Sequence, residues 1–327
     1  MRFLLTRIGF YLSAFWVAIT LNFFIPRWMP GDPATHLFVS LRGKMSEEAL
    51  AAIKVAYGFD GTLWDQYVAY LGKIFTGDFG ISTTNFPAPV AETLFYAMGW
   101  TLFLVGISIS VCFALGMLMG IKAAWGQGKF FDSFFTPFNV MLYAFSQPVI
   151  ALLLFYGLCY QLEWFPLGRA HPPMVIPGFT WEFISAVAYH AVVPLLTMII
   201  VGIGSWHLGM RNNMINLINQ DFITLAQAKG LSERRVVYRY AARNAILPQI
   251  TSLAMTFGYV LGGAYIVEVM FNYPGLGKFS LAAIQARDYA FIQSQLLLVT
   301  ACVLVANLIS DFANVLLDPR LRYAEAA

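Results

Sequence analysis

The chain has 327 residues, 59% of them hydrophobic and only 11% charged, with a formal net charge of +3 and a mean hydropathy of +0.67. One soluble core cannot bury that much apolar surface, so lipid must cover the rest. The small positive excess gives no reason to invoke nucleic acid. The three cysteines, Cys112, Cys159 and Cys302, all fall in apolar stretches and read as small buried hydrophobes, not a disulfide framework.

Gaps between charged residues give six charge-free runs: Ile8–Pro26, Thr93–Ile121, Ser133–Leu162, Phe183–Met210, Asn244–Val267 and Tyr289–Ser310. Each holds 19 to 30 residues, and about 20 suffice to cross the hydrocarbon as a helix. The expected fold class is an all-α membrane protein with about six transmembrane helices. The first run follows Arg2 and Arg7, is too long for a signal-peptide core, and offers no small-residue cleavage site at Asn22–Pro26. A retained first span is expected. If the spans alternate, Arg2, Arg7, Lys122, Lys129, the Arg211–Arg243 group, Arg320 and Arg322 share one side. By the positive-inside rule that side is the cytoplasm, and both termini lie there.

Between residues 27 and 92 runs an external segment patterned enough to be partly helical. Pro30-Gly31-Asp32-Pro33 is a turn by composition. Ser46 with Glu47 and Glu48 starts a helix carrying Leu50, Ile53 and Tyr57, which Gly58 closes. A second short helix is expected around Trp64–Phe75, ended by Gly77. Lys122–Asp132 reads as a plain connector, and Pro and Gly exclude regular helix over most of Glu163–Glu182. Residues 93–317 then form a five-helix membrane core, followed by a short tail, 318–327.

Arg211–Ala245 is the only long cytoplasmic loop. Asp221–Lys229 reads as a short helix with Phe222, Leu225 and Ala226 on one face. Gly230 stands at the position after a helix end where φ > 0 is usually needed, and Leu231 is the hydrophobic contact that accompanies such a turn. Ser232 caps a second, basic helix running from Glu233 towards Leu247, before Pro248. A basic amphipathic helix can rest on anionic lipid. The other use is docking of a cytoplasmic partner, because small Ala226, Ala228 and Gly230 allow close backbone approach.

The stretch from Ala226 to Arg235, continuing through Arg243-Asn244-Ala245-Ile246-Leu247-Pro248, resembles the coupling loop of the binding-protein-dependent permeases of ABC importers. The resemblance is closest to their dipeptide/oligopeptide branch. It extends through Val267-Glu268, Pro274-Gly275-Leu276-Gly277, Arg287-Asp288, Asn307-Leu308 with Asp311, and Asp318-Pro319-Arg320. Near the N-terminus it includes Pro30-Gly31-Asp32-Pro33, Gly77-Asp78-Phe79-Gly80 and Pro89-Val90. It implies a permease subunit working with a second homologous permease, two ATPase subunits that carry ATP and Mg, and an extracytoplasmic solute-binding protein. It implies no cofactor on this chain. Docking roles fall on Ala226, Ala228, Gly230 and Leu231, and positioning roles on Arg234, Arg235 and Arg243. Thr224 stands where the family's name-giving acidic residue would be, six positions before Gly230, so a carboxylate bridge from that position is not carried over. The branch implies peptides first, with oligosaccharides, nickel chelates or opines as alternatives.

Other chemistries find less support. Gly275-Leu276-Gly277-Lys278-Phe279 fails as a phosphate loop on spacing and on its last residue. The metalloprotease H-E-x-x-H and the G-x-S-x-G elbow are both missing. His190 and His207 are seventeen positions apart on one span, too far to share a metal, so polar packing is expected. Glu268 and Asp311 would serve a proton-coupled carrier, but both fall near predicted span ends, where solvation lowers the cost of charge. Pro148, Pro194, Gly262 and Gly263 are candidate helix breaks.

Overall fold

The structure, a computed structural model, describes residues 2–28, 61–84, 88–258, 260 and 264–317, the side chains of 2–6 and 310–317 excepted. The expected Pro30–Pro33 turn, the helix from Ser46, Gly262, Gly263, the Asp311 side chain and the tail from 318 lie outside the described residues. The helices are α1 (Arg2–Arg27), α2 (Leu63–Thr76), α3 (Val90–Trp125), α4 (Phe130–Ala144), α5 (Gln147–Leu154), α6 (Trp181–Ile218), α7 (Asp221–Ala228), α8 (Glu233–Arg235), α9 (Arg243–Ala245), α10 (Leu247–Gly258), α11 (Tyr265–Met270), α12 (Leu276–Ala286) and α13 (Tyr289–Leu317). Among the described residues the only β-pairing is a bridge between Ile81 and Pro89.

Among the described residues four helices are long and apolar enough to cross a bilayer: α1 over Arg7–Arg27, α3, α6, and α13 over Tyr289–Ile309. The third charge-free run is not one straight helix. It divides into α4 and a second piece, Gln147–Gln161, bent by 96° from it, which makes a fifth span if the pair counts as one. The break falls at Phe145 and Ser146, both extended, with Pro148 in the first turn of α5, where its missing N–H costs nothing. Pro194, by contrast, is inside the continuous α6. The fifth run yields only the twelve-residue α10 before the described backbone is interrupted.

The chain forms two compact units. The first comprises Met1–Thr101, Leu261–Tyr265 and Pro274–Val305. Here α2 falls on the expected second external helix, and the sequence shows why. Thr62 accepts a hydrogen bond from the Asp65 N–H while Asp65 accepts from the Thr62 N–H, a capping box. Gly77, at φ 71°, ends the helix in the left-handed region. Val90, Leu94, Ala97, Leu276, Ala283, Phe291 and Ile292 make this unit's core. Asp288, fully buried, accepts from the Ser82 hydroxyl, the Thr84 N–H and the Phe291 N–H, so one carboxylate ties the 82–84 turn to the first turn of α13.

The second unit comprises Leu102–Val260, Ile266–Tyr273 and Ala306–Ala327. Its α3 and α6 lie close together. A Cβ on Gly120 would sit 2.7 Å from the His207 carbonyl oxygen and from Met210 Cβ, and one on Gly116 2.5 Å from Trp206 Cβ. Small residues at such crossings let membrane helices pack where lipid gives no hydrophobic drive. The irregular 163–180 stretch is held through Arg169, whose N–H donates to the Phe271 carbonyl at 2.9 Å.

Candidate functional site

Residues 219–246 form the predicted helix–turn–helix. Gly230 has φ 72°. Its N–H donates to the Gln227 carbonyl at 2.9 Å, and the Leu231 N–H reaches back to the Ala226 carbonyl at 3.4 Å. This pair of bonds is a Schellman turn, which satisfies carbonyls that a helix end leaves open. A Cβ at Gly230 would meet nothing within 4 Å. The glycine is therefore required by backbone conformation, not by crowding inside this chain.

Several expected details are corrected. The first part of the 211–245 segment is helical, because α6 continues through Arg211 to Ile218. The buried face of α7 is Ile223 and Ala226, while Phe222 and Leu225 are 38% and 56% exposed. A helix resting on a packed surface buries positions three apart, and here Ile223 sets that register. Ala226 is only 3% exposed. Its small side chain lets α7 lie close to the core and presents no surface to a partner. Ser232 occupies the cap position, but its side chain makes no capping hydrogen bond; its carbonyl accepts from Arg235 and Val236. The basic helix is not uniformly α: a π-helical stretch, Val236–Ala242, lies between α8 and α9. Such stretches are uncommon and frequent at functional sites.

Ala228, Gly230, Arg234, Arg235 and Arg243 are exposed, and Leu231 is half-buried against the core. Beneath them Ile223, Ala226, Val236, Val237, Ala241, Ala242 and Ala245 join Met117, Ile121 and Ala124 of α3 and Met210 and Met214 of α6 in one apolar cluster. Two polar ties reinforce it: Trp125 Nε1 donates to Glu233 Oε1 at 2.5 Å, and Asn213 Nδ2 donates to the Ala245 carbonyl at 3.1 Å. The turn is thus packed against the C-terminal ends of two span-length helices, α3 and α6, in an interior that yields little to deformation.

Sequence reasoning missed a buried network close by. Asp132, assigned to a connector, is inside α4 and buried. Arg211 grips it with two bonds, Nε to Oδ1 at 2.6 Å and Nη2 to Oδ2 at 2.8 Å, the bidentate fork that makes arginine–carboxylate pairs strong. The Thr136 hydroxyl donates to Asp132 Oδ1 at 2.7 Å and lies 3.1 Å from His207 Nε2. The signal was available: Asp132, Ser133 and Thr136 fall on one helical face, but charge counting assigned the acid to the loop. His207 and His190 do not meet; His190 Nδ1 bonds the Ala186 carbonyl within its own helix. Glu268 is fully buried in α11, not solvated at a span end.

Residues 113–323 match the family described as the binding-protein-dependent transport system inner membrane component, and residues 1–105 match the family's N-terminal membrane region. The chain belongs to this family of transport permeases: it is a multi-pass inner-membrane permease subunit of an ABC importer, of the dipeptide/oligopeptide branch, and not an enzyme. It is similar over nearly its whole length to the dipeptide transport system permease protein DppB of Escherichia coli strain K12, at 30% identity over 99% of each chain. It is also similar to the oligopeptide transport system permease protein AppB of Bacillus subtilis, at 30% identity over 93% of each. DppB of Lactococcus lactis is 28% identical over 98% of this chain and 99% of its own.

Proposed function

We propose that this chain is one permease half of a peptide importer, driven through the turn at Gly230 by a partner ATPase. The observation that carries it is the Schellman turn with Gly230 exposed at its apex and Ile223 and Ala226 anchored among α3 and α6. The names of the similar permeases, all for dipeptides or oligopeptides, favour a peptide as solute. In this reading a second homologous permease completes the pathway, two ATPase subunits carrying ATP and Mg dock below, and an extracytoplasmic binding protein delivers the solute. Both termini are cytoplasmic. Ala228, Gly230 and Leu231 provide the contact surface, Ala226 seats the helix, and Arg234, Arg235 and Arg243 orient the partner by charge. ATPase closure pushes the turn as a rigid body, and α3 and α6 carry the push that switches access from one side to the other.

The test is uptake of a labelled peptide by cells expressing the complete importer. Gly230→Val is expected to abolish uptake while membrane insertion and co-purification with the second permease persist. Gly230→Asn, which tolerates φ > 0, separates the two reasons for a glycine: restored uptake assigns the role to backbone conformation, and continued loss assigns it to close approach of the ATPase. Loss of insertion in both variants would make Gly230 merely structural. Uptake of an oligosaccharide but no peptide would overturn the assignment of solute.

A further inference from the structure

Within the first unit, the end of α1 and the start of α13 border a cavity of about 410 Å3. Both helices are span-length and apolar, so the residues where they stop, Arg27 and Tyr289, mark headgroup depth. Arg27, Tyr70 and Lys73 line the cavity on one side, with Ile74, Phe79 and Leu297 forming apolar wall.

The charges in this wall do not cancel. Arg27 Nε donates to Gln66 Oε1 at 3.1 Å, Nη1 donates to the Phe23 carbonyl at 2.9 Å, and the guanidinium lies 3.6 Å over the Phe23 ring. None of these partners is an anion. Lys73 makes no ion pair among the described residues. Among the described residues Asp78 is the one acid in the lining, and its Oδ1 accepts from the Gly80 N–H. Two cations against one carboxylate leave the described lining at +1. The Tyr70 hydroxyl is buried and makes no hydrogen bond among the described residues, which is costly for a polar group unless something completes it. Burial pushes its phenol up to about 12, so it remains a donor at any working pH.

We propose that this cavity holds the phosphodiester of an anionic phospholipid headgroup, with Arg27 and Lys73 supplying the opposing charge and Tyr70 a donor. A phosphodiester carries a single negative charge, which the +1 lining balances, whereas free phosphate near neutral pH carries more. The depth of the site and its apolar wall suit a headgroup continuing into glycerol and acyl chains, along which long basic side chains commonly extend.

The experiment is native mass spectrometry of the intact importer complex after exchange into bilayers of mixed phosphatidylglycerol and phosphatidylcholine, reading retained lipid without any transport step. Phosphatidylglycerol is expected to be retained in preference. The Arg27→Gln, Lys73→Gln double variant should retain it roughly tenfold less well. Tyr70→Phe, which removes one oxygen and keeps the ring packing on Phe23, should show a smaller loss in the same direction and carries the test if the double variant does not fold. Equal retention of the two lipids, retention unchanged in Tyr70→Phe and in the folded double variant, or displacement of the lipid by inorganic phosphate would overturn the proposal. Peptide uptake stands or falls separately.

Discussion

The α7 turn at Gly230 and the α2 region are both short helices closed by a left-handed glycine, yet they are held by different physics. Around Gly230 the fixing force is dry packing: Ile223, Ala226, Val236 and Ala241 are sealed into an alanine-rich cluster with α3 and α6. Around α2, whose Tyr67 and Tyr70 rings also pack on Phe23, the fixings at the helix ends are polar. They are the Thr62–Asp65 box, the Gly80 N–H on Asp78, and the buried Asp288 that gathers Ser82, Thr84 and Phe291. The apolar seat resists deformation, because packed interiors yield little. A polar seat opens more readily where water reaches it, so the two regions should respond differently to mutation and to pH.

The largest effect should come from the apex of the first region: Gly230→Val abolishes uptake with the complex still assembled. Next comes the network beside it. Arg211→Ala strands the Asp132 carboxylate, whose side chain is 7% exposed. Breaking a buried pair this way costs about 3–5 kcal/mol, read as a drop in the thermal midpoint of the detergent-solubilised complex. The Asp132→Ala, Arg211→Ala double variant should recover part of it; equal or greater loss would show that the pair is not coupled. Smaller again is Gly120→Ala. The added methyl group would meet a backbone oxygen, and overpacking of this kind costs about 1–3 kcal/mol.

The smallest effect belongs to the polar region. Hydrogen bonds from the Thr62 hydroxyl, and then from its backbone N–H, hold the Asp65 carboxyl below the usual carboxylate range. A carboxylate whose folded value is depressed stabilises above its unfolded value and loses that contribution as pH falls through the folded one. Amide hydrogen exchange in the first turn of α2 should therefore quicken on acidification into the acidic carboxylate range, and Thr62→Ala should produce the same fraying at neutral pH. The turn at Gly230 should show no such pH response, and finding one there would erase the contrast between the two regions.

Much of this protein was legible as sequence because its largest signals are local. Charge-free runs report apolar helices, since no charge is tolerated in hydrocarbon without compensation. Gly77 and Gly230 announce helix ends, because few other residues adopt φ > 0 cheaply. The sequence by itself thus determined the all-α membrane class, the α2 helix and the helix–turn at Gly230. Only tertiary structure decided that Asp132 pairs with Arg211 seventy-nine positions away, that Ala226 faces inward while Leu225 faces out, that the third run breaks by 96°, and that Arg27 and Lys73 share a cavity with the buried Tyr70 hydroxyl. Each of those outcomes depends on what lies across from a residue, and periodicity along one chain carries the spacing of side chains but not the identity of their partners.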